Sequence, residues 1–344
     1  MPINKISHSP FPSLQRIPPT KNKGVDVKIK QIVYIILKTL RTALVLTTAS
    51  LTTLVSLPVV ILSTMHGLYK KTPFIIAIVD SIFMAAKPLD WVAPHLPRPL
   101  AYMANAIHAA MTEILSTLVM SALYFNDLEK CNPKTMDSGN HQPILLVHGL
   151  YHNSSAWTYH RQCMLEAGLG PIFTVNLDRP FVSIKLHAEK LREKIIEIQK
   201  ITGDRELKVV GHSMGGLDLS ELLLNTAKDE FNITDVVTLG SPLKGTHMTF
   251  LGLGKSVKEM RYEGAYINDL AKRICAQDKI QYFHISTEMD ELVVPSTSAT
   301  LAENKNAKRL VLPNLGHNGL LYSKKVNEAL IEHLKSGGGT PSQV

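Results

Sequence analysis

A chain of 344 residues that is 45% hydrophobic and 19% charged has material for one large or two ordinary domains, and it is more apolar than an average soluble protein. Cys131, Cys163 and Cys275 are scattered without metal-ligand spacing, which excludes a disulfide framework and a zinc site and leaves all three inert. The net charge of +8 is local, because residues 1–41 hold eight Lys or Arg against Asp26; it describes a basic tail and excludes a nucleic-acid surface.

In chain order, residues 1–30, with Pro10, Pro12, Pro18 and Pro19 among Ser and Lys, read as a loosely held tail. Residues 31–125 read as a hydrophobic helical region. Within it "TALVLTTASLTTLVSLPVVILST" (42–64) runs 23 positions without a charge, against the roughly 20 needed to cross a bilayer. The basic residues ahead of it predict a cytoplasmic tail that favours anionic lipid head groups. The long basic region, and the lack of a small-x-small cleavage site after the apolar run, favour a retained anchor over a removed signal peptide. A second stretch, "PLAYMANAIHAAMTEILSTLVMSALYF" (99–125), has Glu113 as its only formally charged residue. It is either a second span or a buried or interfacial amphipathic helix. One span predicts that the rest of the chain lies outside; two predict that it returns to the cytoplasm. The polar, turn-rich "NDLEKCNPKTMDSGNH" (126–141) reads as a linker.

From residue 142 short apolar runs alternate with amphipathic stretches. "PILLVHG" (143–149), "PIFTVNL" (171–177), "LKVVGH" (207–212), "DVVTLGSP" (235–242) and "IQYFHIST" (280–287) read as strands. "IKLHAEKLREKIIEIQKI" (184–201) has helical periodicity, with Leu186, Leu191, Ile195 and Ile198 assigned to one stripe. "GGLDLSELLLNTA" and "SKKVNEALIEHLKSG" (323–337) read as further helices. Strands alternating with helices predict a mostly parallel sheet covered on both faces, an α/β domain over 142–338 followed by a flexible end, 339–344.

The run "VVGHSMGGLD" (209–218) places Ser213 in a G-x-S-x-G pattern between a strand and a helix. Such a turn holds a serine at strained φ/ψ, lifts its Oγ off the sheet and sets it at a helix N-terminus, where developing negative charge is favoured. A serine hydroxyl needs a base to take its proton. Downstream, "STEMDELVVP" (286–295) offers Asp290, with Glu288 and Glu291 as rivals, and "LPNLGHNGLLYS" (312–323) offers His317 in a loop. Serine, acid and histidine follow in the chain order known for this turn. His317 is expected to be general base and then acid, with Asp290 fixing its tautomer. The backbone N–H groups of Met214 and Leu150 are the expected oxyanion donors, the latter from the loop after "ILLVHG". His212 is expected to point away from the site as packing, and His247 precedes the acid and is set aside. Residues 247–275 are expected to form either a partial lid or acyl-chain wall, or an ordinary connecting helix.

These motifs resemble bacterial lipases of the α/β-hydrolase superfamily over residues 143–338. "LLVHGL" with Trp157 resembles the oxyanion loop, "VVGHSMGGL" the nucleophile elbow, and "TLGSPLKGT" (238–246) the family's Ser/Thr-Pro-x-x-Gly-Ser/Thr segment. "DELVVP" and "LGHNGLLYS" resemble the acid-to-histidine stretch of small secreted lipases of the Bacillus type, and "MRYEGAYINDL" (260–270) is similar to a helix there, with Glu263 where proline is usual. The resemblance implies an α/β-hydrolase fold and hydrolysis of lipid carboxylic esters through an acyl-enzyme, without cofactor or metal. A phospholipase or acyltransferase with the same triad, or an inactive membrane-anchored scaffold, are the alternatives. The apolar N-terminal region departs from that family and adds an expected membrane association.

Overall fold

The computed structural model describes residues 88–134, 142–203, 206–227, 230–233, 235–305 and 307–336. The tail 1–30, the charge-free run 42–64 and the end 339–344 lie outside the described residues.

Six strands form one parallel sheet: β1 (Ile144–Val147), β2 (Ile172–Val175), β3 (Lys208–His212), β4 (Asp235–Leu239), β5 (Gln281–Thr287) and β6 (Ala307–Leu312). Their order is β2-β1-β3-β4-β5-β6, and every neighbouring pair is parallel. Helices cover both faces: α1 (Arg98–Ala122), α2 (Thr158–Glu166), α3 (Ile184–Thr202), α4 (Met214–Leu224), the short α5 (Lys255–Glu259), α6 (Ala265–Ala276) and α7 (Lys324–Lys335).

Successive side chains of a strand point to opposite faces, and this divides the apolar runs between two cores. Leu145, Val147, Val209 and Val236 join Leu191, Ile195 and Ile198 of α3 and residues of α4 and α6. Ile144, Leu146, Val210, Val237 and Phe283 join residues of α2 and α7. Burial on both faces is why the central strands read as unbroken apolar runs. The edge strand β6, which precedes the His317 loop, carries Lys308 and Arg309 and varies in burial, so it lacks the continuous apolar run of the central strands.

Helix α3 begins at Ser183, whose hydroxyl accepts from the Leu186 N–H, and ends at Gly203 with φ 68°. One expectation fails here. Leu186 is 46% exposed, while Ile184, His187 and Ala188 share the buried face with Leu191. The spacing of five from Leu186 to Leu191 is out of helical phase, as 3.6 residues per turn requires.

Within the stretch 99–125 the chain forms α1, packed on the domain, and among the described residues no helix is long and apolar enough to cross a membrane. Its inward face is small or polar, including His108, Thr112, Glu113, Ser116 and Thr117, whereas Leu100, Met103, Ile107 and Met111 face outward. The stretch expected as a linker also bonds the domain as far as it is described. Leu128–Cys131 forms a 3₁₀ turn, and the Asn132 side chain pairs with the edge of β2, donating to Thr174 O (2.7 Å) and accepting its N–H (2.8 Å).

In a parallel sheet all carboxyl ends emerge along one side. The loops after β1, β3, β4, β5 and β6 therefore converge there, the usual place for a site in such folds.

Candidate active site

Strand β3 passes into α4 with a single intervening residue, Ser213, at φ 54° and ψ −125°. A non-glycine residue there is strained and persists only where its surroundings hold it. Its N–H donates to Leu239 O (2.8 Å). The flanking glycines are sterically required, because a Cβ at Gly211 would lie 2.5 Å from Gly216 N and one at Gly215 would lie 2.6 Å from the carbonyl oxygens of Val147 and His148.

His317 lies at the start of a short 3₁₀ turn, Asn318–Leu321, after β6. Its Nδ1–H donates to the Asp290 carboxylate at 3.0 and 3.1 Å, and both side chains are buried. Asp290 Oδ1 also accepts the N–H groups of Leu292 (3.0 Å) and Val293 (2.7 Å), which lock the carboxylate. The rival Glu291 instead accepts the backbone N–H of His317 (3.2 Å). Burial pulls the His317 pKa down, but the charge and hydrogen bond of Asp290, aided by the charge of Glu113, outweigh it and leave the pKa raised.

The loop after β1 closes over the elbow: a Cβ at Gly149 would lie 2.8 Å from that of Ser213. His148 Nδ1–H donates to Gly149 O (2.8 Å) and its Nε2 accepts the Leu177 N–H (2.9 Å). Burial holds this ring neutral, with its pKa pushed down to about 3. Met214 is the first residue of α4, so its N–H has no partner four residues back within that helix.

Ser213 and His317 line one cavity of about 420 Å³ together with Gly149, Leu150 and His212. Its apolar walls come from Met120 of α1, from Met248 and Leu251, and from Val257 and Met260. The segment 247–260 is thus a cavity wall, and α1 forms another part of it. A cavity of this size and lining suits a small apolar ligand or chain.

Two histidine expectations resolve differently. His247 is exposed and packs on Tyr262, rings 4.3 Å apart, outside the cavity. His212 does not point away: it lines the cavity, its ring lies 4.8 Å from that of His317, and its Nε2–H donates to His317 O (3.3 Å). The sharp turn at Ser213 brings its predecessor under the histidine loop, a contact that spacing does not report. Trp157 is fully buried in the sheet core away from the cavity. Glu263 has φ 54°, which proline cannot adopt, consistent with the loss of proline there.

A family model described as a PGAP1-like alpha/beta domain matches residues 168–312, a span that includes Ser213 and Asp290 and ends before His317. Among solved structures the chain is similar to a Bacillus licheniformis lipase, BlEst2, in its mature form, at 18% identity and a TM-score of 0.51, over 59% of this chain and 96% of that one. It is also similar to Aspergillus fumigatus lipase B, at 18% identity and a TM-score of 0.49, over 59% of this chain and 55% of that one. The parallel sheet, the strand–serine–helix turn and the likeness to the Bacillus lipase together give this chain the fold of the α/β-hydrolase lipases.

Proposed function

We propose that the protein is a serine hydrolase that cleaves carboxylic esters of lipids. The observation that carries this reading is a strained serine and a carboxylate-bonded histidine opening on one apolar cavity. Ser213 Oγ attacks the ester carbonyl carbon while His317 Nε2 takes its proton. The N–H groups of Met214 and Leu150 hold the oxyanion. The tetrahedral intermediate collapses as His317 returns the proton to the departing alcohol, leaving an acyl-enzyme. Water, deprotonated by His317, then attacks the acyl carbon; the intermediate collapses with cleavage of the acyl–Oγ bond, His317 returns the proton to Ser213 Oγ, and the carboxylic acid leaves. Asp290 keeps Nδ1 protonated and stabilises the imidazolium in both halves.

The apolar walls support an acyl chain as the bound group. Membrane association is part of the proposal, with residues 42–64 as anchor and the basic tail cytoplasmic. The exposed Leu100, Met103, Ile107 and Met111 support an apolar neighbour on that side.

A fluorophosphonate probe tests the chemistry. Folded protein is expected to be labelled at Ser213, and Ser213→Ala to abolish labelling; an unlabelled folded wild type refutes the enzyme reading. Release assays on triacylglycerol, phospholipid and short p-nitrophenyl esters then sort substrates. In a variant retaining only the exposed Cys131, thiol accessibility from either side of a sealed membrane reports where the domain resides.

A further inference from the structure

Glu113 is the one formal charge in the apolar stretch 99–125, and a helix places it on one face with residues 109, 112, 116 and 117. That face turns inward, the reverse of the usual arrangement in which the apolar stripe meets the core. Its hydrogen bonds to the rest of the domain fall on the loop that carries His317. His108 Nδ1–H donates to Asn314 O (2.6 Å), and the Asn314 amide donates to Asp90 just ahead of α1. Glu113 accepts the backbone N–H groups of Asn318 (2.7 Å) and Gly319 (3.1 Å) and the Asn318 side-chain amide (2.8 Å). Asn318 Nδ2 also donates to Thr117 Oγ1 (3.1 Å). The loop leaves room for this carboxyl: a Cβ at Gly316 would lie 2.5 Å from Glu113 Cβ and Oε2.

Glu291, which accepts the His317 N–H, lies beside Glu113. The three N–H groups that open the 3₁₀ turn, at residues 317, 318 and 319, thus all end on one buried carboxyl pair. Burial raises both acids, and Glu291 lies well above its ordinary range because the charges of Glu113 and Asp290 add to that burial. Glu113 accepts three donors from residues 318 and 319 and Glu291 one from His317, so the pair sits directly behind the histidine loop, beside Asp290.

We propose that Glu113 is a positioning residue for the catalytic base, through which helix α1 sets the place of His317 against Asp290 and Ser213. The proposal rests on the serine-hydrolase reading above. By it, α1 is a part of the catalytic apparatus, supplied from outside the motifs that define the domain.

The groups facing His317 are Asp290 and Glu291 from the loop after β5, Glu113 from α1, and His212 from the elbow. Glu291 lies beside Glu113, so removing carboxylate charge from this place needs Glu113→Gln with Glu291→Gln. The charge of Glu113 raises the His317 pKa, so its loss lowers it. The base then stays neutral to lower pH, and the acidic limb of the rate profile moves down.

The test uses the full chain and a p-nitrophenyl ester, with kcat and KM measured across pH alongside the thermal midpoint. Glu113→Ala is expected to lower kcat about 10²-fold with KM little changed, as a misplaced catalytic group does. Glu113→Gln, which keeps an acceptor oxygen for the loop, is expected to recover part of that loss. An unchanged kcat, a change in KM alone, or a glutamine variant no better than alanine overturns the proposal. If Glu113→Ala does not fold, the double glutamine variant decides: a downward-shifted acidic limb supports the proposal, and an unshifted limb overturns it. A wild type without esterase activity or fluorophosphonate labelling would instead refute the parent reading.

Discussion

Asp290→Asn isolates the tautomer of the base, and the structure dictates how the amide must sit. Oδ1 of Asp290 accepts two backbone N–H groups, at 3.0 and 2.7 Å. An asparagine must keep its oxygen in that position, because turning the amide would aim its NH₂ at both donors. Its Nδ2 then takes the place of Oδ2, 3.0 Å from His317 Nδ1. The retained oxygen stays 3.1 Å from Nδ1, but an NH₂ now stands at the nearer position. The tautomer with its proton on Nε2, the nitrogen that must accept from Ser213, therefore gains population. In the serine triad whose residue roles are best established, the same exchange lowers kcat by about 10⁴, which is ~5 kcal/mol of transition-state stabilisation. A loss of this order is expected here in kcat and in the rate of fluorophosphonate labelling. The side chain is fully buried and nearly isosteric with its replacement, so the folded domain is expected to persist by circular dichroism. A folded variant within tenfold of wild type would refute the assignment of Asp290 and of the tautomer argument with it.

The remaining predictions use pH and shape. His317 must be neutral to accept a proton, and its pKa is raised from the usual 6.5; kcat/KM is therefore expected to fall with decreasing pH through a limb above 6.5, and a limb at or below 6.5 would contradict the charge arrangement. Met120 of α1 lines the cavity, so Met120→Trp is expected to raise KM for long-chain esters at least several-fold while short esters keep theirs. Equal effects on both chain lengths would show that the acyl chain lies elsewhere.

Much of the architecture is legible along the chain because it follows local periodicity. The central strands announce themselves as apolar runs because both of their faces are covered, and α3, α4 and α7 follow from helical spacing. The elbow is legible for the same reason: glycines, strand and helix are contiguous, and the strain at Ser213 is a property of that one turn. Leu186 falls outside the buried stripe because five residues do not close a helical turn, and β6 has no continuous apolar run because this edge strand carries charge.

Other features depend on contacts between residues that no spacing relates. Three carboxylates crowd residues 288–291, and only the folded loop brings Asp290 to the ring while turning Glu291 to the backbone of His317. The helix containing Glu113 reads by composition as either a second span or a buried amphipathic helix, since hydropathy counts side chains and not the face on which they lie. The fold turns its small and polar face onto a loop some 200 residues downstream, where exposed backbone N–H groups need acceptors. The sequence by itself thus determined the strand–serine–helix turn at Ser213, the order in which Asp290 and His317 follow it, and the sheet that carries them, all set by neighbours along the chain. Tertiary structure alone decided which carboxylate bonds the His317 ring and that Glu113 of α1 meets the loop behind it, because buried charges and backbone donors must find each other in space.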